Sequence, residues 1–203
     1  WWNLRDGPLI LQGKPGTGKT SFVNAVCKVM NTIPHRIDCD PMTSRKQSLY
    51  EWNKFLQKIT SKNVEKELLR NGKRATSRDI EPAIYNMEHI FIRPLLATIL
   101  DDSDHPIALI NELDKVPLKS PFHSLVLTFF DEFAITIEEM NRTITRGNKP
   151  APHIFITSNA GDKESRLSGG EEELPQTILR RGSVFKIKEH TLGKQFEILS
   201  NLC

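Results

Sequence analysis

Short apolar runs alternate along this chain with longer stretches in which apolar residues recur every three or four positions. The short runs predict buried strands, and the longer spacing predicts amphipathic helices. The predicted strands cover residues 8–12, 35–40, 107–110, 154–157 and 184–187, and the predicted helices cover 19–30, 80–100 with a break at Pro94, 122–133, 174–179 and 192–202. Strands that alternate with helices indicate an α/β fold, in which a parallel five-stranded sheet is covered on both faces.

Three other segments have weaker patterns. The polar, charged stretch 44–79 is predicted to be helical in parts, around 49–59 and 64–69. Residues 135–144 alternate weakly between apolar and polar, which favours a β-hairpin. Residues 161–173 are polar and contain glycine, which is typical of a surface loop.

Composition narrows the class of protein. The chain has 203 residues, of which 38% are hydrophobic and 26% charged, the balance of one ordinary globular domain. The formal net charge of +3 favours neither a nucleic acid nor an anionic membrane as partner, and the basic run 62–78 is interpreted as a solvated helix face. The three cysteines have no CxxC spacing, which suits a reducing compartment. With no membrane-spanning apolar stretch and no signal peptide, we expect a cytoplasmic protein.

A glycine-rich turn follows the first predicted strand and precedes the first predicted helix. Residues 13–20 read GKPGTGKT, which fits the pattern GxxxxGK[ST] completely. Glycines allow successive backbone N–H groups to face phosphate oxygens, and the following helix directs its positive end at the same place. Lys19 is expected to reach the β- and γ-phosphates of a nucleotide, and the Thr20 hydroxyl to bind Mg²⁺. The residues predicted to bind the nucleotide are Gly13, Pro15, Gly16, Thr17, Gly18, Lys19, Thr20 and Ser21.

The strand at 107–110 ends in a polar pair, Asn111 and Glu112. In nucleotide hydrolases this position follows a core strand beside the phosphate loop, and its first residue is usually an aspartate that helps to hold Mg²⁺. Glu112 is predicted to orient or deprotonate the attacking water. Asn111 is predicted to contact the magnesium site without a negative charge.

Because asparagine lacks that charge, the sequence alone predicts loose magnesium binding and slow turnover. On this basis Asn111→Asp would raise the hydrolysis rate and lower the magnesium concentration that is needed for half-maximal activity.

Two further positions complete the candidate site. Asn159 ends the strand at 154–157 in a polar residue and is placed to hydrogen-bond the γ-phosphate or the attacking water. Arg180 and Arg181 follow the short helix at 174–179. An arginine at a subunit boundary can stabilise charge on the γ-phosphate of a neighbouring subunit, as an arginine finger does.

The motifs GKPGTGKT, INELDK, FITSN and ELPQTILRR, in this order, resemble the MoxR-like AAA+ ATPases. The stretches LYEWN at 49–53, FIRPLL at 91–96 and FDEFAITI at 130–137 strengthen the resemblance, which covers nearly the whole chain. It implies that Lys19 and Thr20 belong to Walker A and that Glu112 is the Walker B glutamate. It also implies that Asn159 is sensor 1 and that Arg181, or else Arg180, is the arginine finger.

The resemblance also implies a function and an assembly. Its members bind ATP and Mg²⁺, form hexameric rings and remodel protein clients, often beside a partner with a von Willebrand A domain. Residues 1–190 would form the nucleotide-binding core and 191–203 the start of a helical lid. The family's sensor 2 arginine is not among these residues.

Three alternatives stay open. The chain could be a nucleotide-dependent switch or scaffold with weak hydrolysis, because of Asn111. It could be a DNA-acting motor of the McrB or helicase type, although neither its charge nor any basic-aromatic stripe favours nucleic acid. A small-molecule kinase is the third alternative, and the predicted sensor and the paired arginines argue against it. A preference for adenine over guanine rests on the resemblance alone.

Overall fold

The computed structural model describes residues 7–159 and 174–189, and all structural statements refer to these residues. The strands are β1 (Leu9–Gln12), β2 (His35–Asp38), β3 (Tyr50–Trp52), β4 (Ile90–Ile92), β5 (Ile107–Asn111), β6 (Ala134–Ile137), β7 (Arg142–Thr145), β8 (His153–Ser158) and β9 (Ser183–Lys186). The helices are α1 (Lys19–Val29), α2 (Arg45–Ser48), α3 (Lys54–Arg70), α4 (Ser77–Ile84), α5 (Pro94–Leu100), α6 (Pro121–Glu132) and α7 (Gln176–Leu179).

Five strands form the central sheet in the order β2-β5-β8-β1-β9, and all four neighbouring pairs are parallel. The predicted α/β fold with a five-stranded parallel sheet is confirmed. Each of the five predicted strands is present, with ends that differ by at most a few residues from the prediction. All carboxyl ends therefore lie along one edge of the sheet, where ligands bind in open α/β folds.

The sheet is covered on both faces because its strands alternate between two cores. In β5, Ile107 and Leu109 belong to a core that includes α1, whereas Ala108 and Ile110 belong to a second, larger core that includes α5 and α6. All five residues of β5 are buried, as expected for a strand inside a parallel sheet. Full burial of each large aliphatic side chain contributes about 1.5–3 kcal/mol, so these strand positions anchor the fold.

The predicted helices at 49–59 and 80–100 were wrong in part. Tyr50–Trp52 and Ile90–Ile92 are strands β3 and β4, which pair antiparallel with each other as a separate two-stranded sheet. These short segments are rich in aromatic and β-branched residues, and cross-strand pairing outweighs their weak helical spacing. Between them, α3 is one continuous helix that Asn53 caps by accepting a hydrogen bond from Leu56 N. Pro94 does not break a helix but occupies the first turn of α5, where its missing N–H costs nothing.

The weakly alternating segment 135–144 is a β-hairpin, as predicted. Strands β6 and β7 pair antiparallel with Ile135 opposite Ile144. Phe133 ends α6 in the left-handed region, with φ of 45°, and so turns the chain from the helix into β6. The predicted loop 161–173, the predicted helix 192–202 and the predicted lid 191–203 lie outside the described residues.

In the described part of the chain, no helix is both long and apolar enough to cross a membrane. Nor do three or more histidine, cysteine, aspartate or glutamate side chains come together there in a way that could hold a metal ion.

A buried histidine at the start of β8 makes stability depend on pH. His153 is 7% exposed, and its ring lies 5.5 Å, centre to centre, from that of His105. Burial, and secondly the nearby His105 charge, lower the pKa of His153 below its ordinary 6.5. The unfolded chain therefore takes up this proton more readily, so this contribution to stability is complete above about pH 6.5 and is lost as the pH falls below it, through the lower pKa of the folded state.

We expect the free energy of unfolding of the wild-type protein to decrease between pH 7 and pH 5. In His153→Phe, which fills the site without a titrating group, the decrease should be smaller. Urea denaturation at a series of pH values measures both slopes. An identical pH dependence in the two proteins would contradict this account of His153.

Candidate nucleotide-binding site

The phosphate loop joins the carboxyl end of β1 to the start of α1. Gly16 and Gly18 have φ of 80° and 87°, a left-handed backbone that other residues adopt only at a cost. Gly13 is needed for a different reason, since a Cβ there would lie 2.5 Å from the Ile187 carbonyl oxygen. Thr17 holds the turn together by donating its hydroxyl to the Lys14 carbonyl at 2.8 Å. The loop therefore takes its shape from the residues that the motif specifies.

Lys19 is the buried cation of this loop. It is 7% exposed, and its Nζ donates to the carbonyl oxygens of Gly13 at 2.7 Å and Lys14 at 2.8 Å. A buried ammonium group needs hydrogen-bond acceptors, and here the loop supplies them. The result is a positive charge held at the N-terminus of α1, whose dipole also favours an anion.

Asn111 lies at the centre of a hydrogen-bond network that connects three strands and α1. Its Oδ1 accepts the hydroxyls of Thr20 at 3.0 Å and Thr157 at 2.8 Å. Its Nδ2 donates to Asp38 Oδ1 at 2.8 Å. The Thr157 hydroxyl in turn accepts the backbone N–H of Glu112 at 2.9 Å. Thr157 thus ties both residues of the polar pair to β8.

Glu112 follows Asn111 directly but has a different conformation. With φ of 57° and ψ of 49°, its backbone is in the left-handed region, which costs a residue with a side chain about 1–2 kcal/mol. The turn directs the chain out of β5 into a short 3-10 helix at Leu113–Lys115. The Glu112 carboxylate forms an ion pair with Lys115 at 2.6 Å. A strained residue at a strand end is a mark of functional sites.

Asn159 directly follows β8 and is 5% exposed. Its backbone N–H donates to the buried carboxylate of Asp114 at 3.0 Å, which fixes the end of the strand beside the 3-10 helix. A cavity of about 260 Å³ opens here. Its lining residues are Pro15, Gly16, Gly18, Lys19, Thr20, Ser21, Asn111, Glu112, Thr157 and Asn159. The structure thus brings predicted nucleotide, metal and catalytic residues to one place.

A larger cavity of about 600 Å³ lies elsewhere, between α2, α6 and β6. It is lined by Leu49, Phe122, Phe129 and Ile135 among others, and by the charged residues Arg45, Glu132 and Glu138. By size alone this groove would be the candidate functional site, but the phosphate loop does not line it. The convergence of charged and polar groups identifies the smaller cavity as the candidate site.

The two predicted arginines lie at the opposite edge of the sheet. Arg181 precedes the amino end of β9, and the backbone at Gly7, before β1, packs against its carbonyl group. The four residues of β1, about 13 Å of extended strand, separate this edge of the sheet from the phosphate loop. Arg181 donates two hydrogen bonds to Asp131 of α6, from Nε at 3.0 Å and Nη2 at 3.1 Å. Arg180 is exposed beside it.

Two titratable groups near the site have shifted pKa values. Burial raises the pKa of Asp38, but hydrogen bonds from Arg36 and Asn111, together with the charges of Arg36 and Lys115, outweigh it, and the net shift is downward. Burial, followed by the charges of Asp114 and Asp38, raises the pKa of the Cys39 thiol to about 12. Asp38 is therefore ionised at neutral pH, and Cys39 is an unreactive thiol.

The donor atoms fit a magnesium ion. Mg²⁺ prefers oxygen ligands and usually takes only one or two from a protein, the rest coming from water and phosphates. Thr20 donates its proton to Asn111, which leaves the lone pairs of its Oγ1 available to a cation. The Thr20 oxygen is a hard donor of this kind, whereas Asn111 Oδ1 already accepts two hydroxyl groups and so positions Thr20.

Sequence reasoning missed four residues of the network: Asp38, Asp114, Lys115 and Thr157. Thr157 could have been found as a polar residue inside an otherwise apolar strand run. Asp38 lies within the predicted strand 35–40, but only the strand order shows that it is a neighbour of Asn111.

A parallel sheet of this strand order, with GKPGTGKT between β1 and α1, defines the fold of a P-loop nucleoside triphosphatase. The model of the AAA domain family (dynein-related subfamily) matches residues 8–182, and the chain belongs to this family.

Among solved structures, the chain is similar to the crystal structure of a candidate ATPase from Cytophaga hutchinsonii, with a TM-score of 0.57 and 18% sequence identity. The similarity covers 98% of this chain and 47% of that protein, so the chain spans about half of its length. At this identity the likeness shows the fold alone. No curated protein sequence matches the chain.

Proposed function

We propose that this chain is the ATP-binding and ATP-hydrolysing domain of an AAA+ remodelling enzyme of the MoxR type. The observation that carries the proposal is the convergence of Lys19, Thr20, Asn111, Glu112 and Asn159 on one cavity at the carboxyl edge of the sheet. Each of these side chains has the chemistry that is required to bind a nucleoside triphosphate and its cation.

The charge and position of each residue indicate its role in this proposal. Lys19 and the N–H groups of the loop neutralise phosphate oxygens. Thr20, positioned by Asn111, would bind Mg²⁺, and the metal would supply charge neutralisation on the phosphates. Glu112 would accept a proton from the attacking water, and Asn159 would orient that water or the γ-phosphate.

Glu112 must leave Lys115 before it can act on water. The 2.6 Å ion pair joins two partly exposed side chains, and pairs of this kind contribute about 1 kcal/mol or less. The energy that is needed to separate them is therefore small, and exchange between a Lys115-bound and a water-bound Glu112 is compatible with catalysis.

The position of the arginines supports a ring assembly. Arg181 lies at the other edge of the sheet from the phosphate loop of its own chain, and the length of β1 separates the two. A role on the nucleotide of a neighbouring subunit fits this position. This position supports the proposed homo-oligomer, for which the resemblance favours a hexameric ring.

The biological role rests on the resemblance to MoxR-like proteins. We infer a protein client and a partner with a von Willebrand A domain. The cytoplasmic location expected from the sequence stays a prediction.

A second candidate function is a nucleotide-dependent switch that binds ATP and hydrolyses it slowly. Two observations favour it: Asn111 is uncharged, and Glu112 is held by Lys115 in this conformation. Both candidates use the same cavity and differ only in the rate of turnover.

Glu112→Gln tests the proposal and separates the two candidates. We expect unchanged ATP affinity and a fall in steady-state hydrolysis of at least about 100-fold, since a general base contributes about 10²–10⁴-fold. Calorimetry measures the ATP affinity, and the rate of phosphate release measures the turnover. Glu67→Gln, an exposed carboxylate change on α3, is the matched control and should match the wild type. If the wild type already hydrolyses ATP as slowly as Glu112→Gln, the chain is a switch.

A further inference from the structure

The carboxylate that Asn111 lacks is present on the next strand. Asp38 ends β2, and the parallel register of β2 and β5 places it directly opposite Asn111. The two side chains touch, with Asn111 Nδ2 at 2.8 Å from Asp38 Oδ1. The usual aspartate of the magnesium site is thus replaced by an amide with a carboxylate beside it.

The contacts of Asn111 allow only one orientation of its amide group. Two hydroxyl groups, of Thr20 and Thr157, approach the Oδ1 side, and the Thr157 hydroxyl already accepts the Glu112 N–H. In this arrangement both hydroxyls donate to Asn111 Oδ1, although a hydroxyl can also accept a hydrogen bond. On the other side, the Asp38 carboxylate can only accept. A reversed amide would place its oxygen against this carboxylate and lose that hydrogen bond, so Asp38 decides the orientation.

We propose that Asp38 is a positioning residue of the magnesium site, which fixes the Asn111 amide with its oxygen toward Thr20 and supplies the negative charge that Asn111 does not carry. This inference rests on the proposed function. It changes the expectation from the sequence that the magnesium site lacks a negative charge at this position. The NH₂ group of Asn111 faces the Asp38 carboxylate.

A simpler view is that Asp38 serves only as a surface partner of Arg36. Arg36 donates to the same oxygen, Oδ1, from Nε at 2.8 Å and from Nη2 at 2.5 Å. The side chains of Arg36 and Asp38 are 41% and 63% exposed, and pairs this exposed add little stability. That view predicts no effect of Asp38 on metal binding, which makes the two views separable.

The test is a charge exchange across β2 and β5. Asp38→Asn keeps the shape and removes the charge. The double variant Asp38→Asn with Asn111→Asp restores one carboxylate and one amide in exchanged positions. Asp40→Asn is the matched control, because its carboxylate caps the turn at Met42 and Thr43 and does not contact Asn111. In the full-length protein, calorimetry measures ATP affinity with Mg²⁺ and with EDTA, so the metal contribution is their ratio.

We expect Asp38→Asn to leave the affinity in EDTA unchanged and to reduce the gain from Mg²⁺ by about 10-fold, at the lower end of effects seen for groups that support metal ligands. The double variant should recover the gain, and Asp40→Asn should keep it. An unchanged gain in Asp38→Asn, or a loss that the double variant does not recover, would overturn the inference. If the wild type binds no ATP in either buffer, the proposed function fails instead.

The single change Asn111→Asp is a less direct test than the sequence alone indicated. It would place two carboxylates at the 2.8 Å contact that Asn111 now makes with Asp38. Their repulsion opposes the benefit of the added charge. The exchanged pair avoids this repulsion and keeps the total charge constant.

Discussion

In the assembled full-length protein, Arg181→Ala is expected to lower ATP hydrolysis by about 10³-fold, the lower end of the effect of arginine fingers, and to leave ATP affinity unchanged. Arg181 lies at the other end of β1 from the phosphate loop of its own chain. The proposed contribution is made across a subunit boundary, so wild-type turnover per subunit should rise with protein concentration.

Two controls separate a finger from a structural arginine. Arg180→Ala removes the neighbouring exposed guanidinium and should have little effect. Asp131→Asn breaks the paired hydrogen bonds to Arg181, while Arg181 itself keeps its positive charge. Turnover should therefore be retained. The ion pair is about half exposed, and its loss should cost little stability.

The results can also contradict this account. If Asp131→Asn loses as much turnover as Arg181→Ala, the pair has a structural role. If Arg180→Ala is the variant that loses activity, the finger is Arg180. Turnover by a monomer that does not depend on concentration would contradict the ring.

The architecture of the central sheet could be predicted because each strand has a local signal. A strand such as β5 is buried on both faces, so it appears in the sequence as an apolar run with a polar end. Alternation with helices then requires parallel connections. Strand order was not predictable from these local signals, since it depends on which segments meet in the folded chain.

The segment between β2 and β5 shows where local signals fail. Tyr50–Trp52 and Ile90–Ile92 are three-residue strands 38 residues apart, and neither shows an alternation long enough to detect. Their pairing is decided by contacts such as that of Tyr50 with Ile92. The pattern of a few neighbouring residues cannot predict short strands that are stabilised by a partner far away in the sequence.

The candidate site also has one part that the sequence predicts and one part that it does not. The phosphate loop is contiguous, so its chemistry could be predicted from eight adjacent residues. The environment of Asn111 could not, because Asp38 and Thr157 reach it from two other strands. The sequence therefore indicated a missing charge, whereas the structure places a carboxylate beside the position.

The central claim, that the loop at 13–20 binds the phosphates of ATP, is tested most directly by a calorimetric titration of Lys19→Ala with ATP and Mg²⁺. Charged hydrogen bonds of the kind that Lys19 would make to two phosphates are worth about 1.5–3 kcal/mol each, so affinity should fall by at least about 100-fold. Lys28→Ala, an exposed change on the same helix, is the matched control, and circular dichroism verifies that both variants fold. Wild-type affinity in a folded Lys19→Ala protein would contradict the claim.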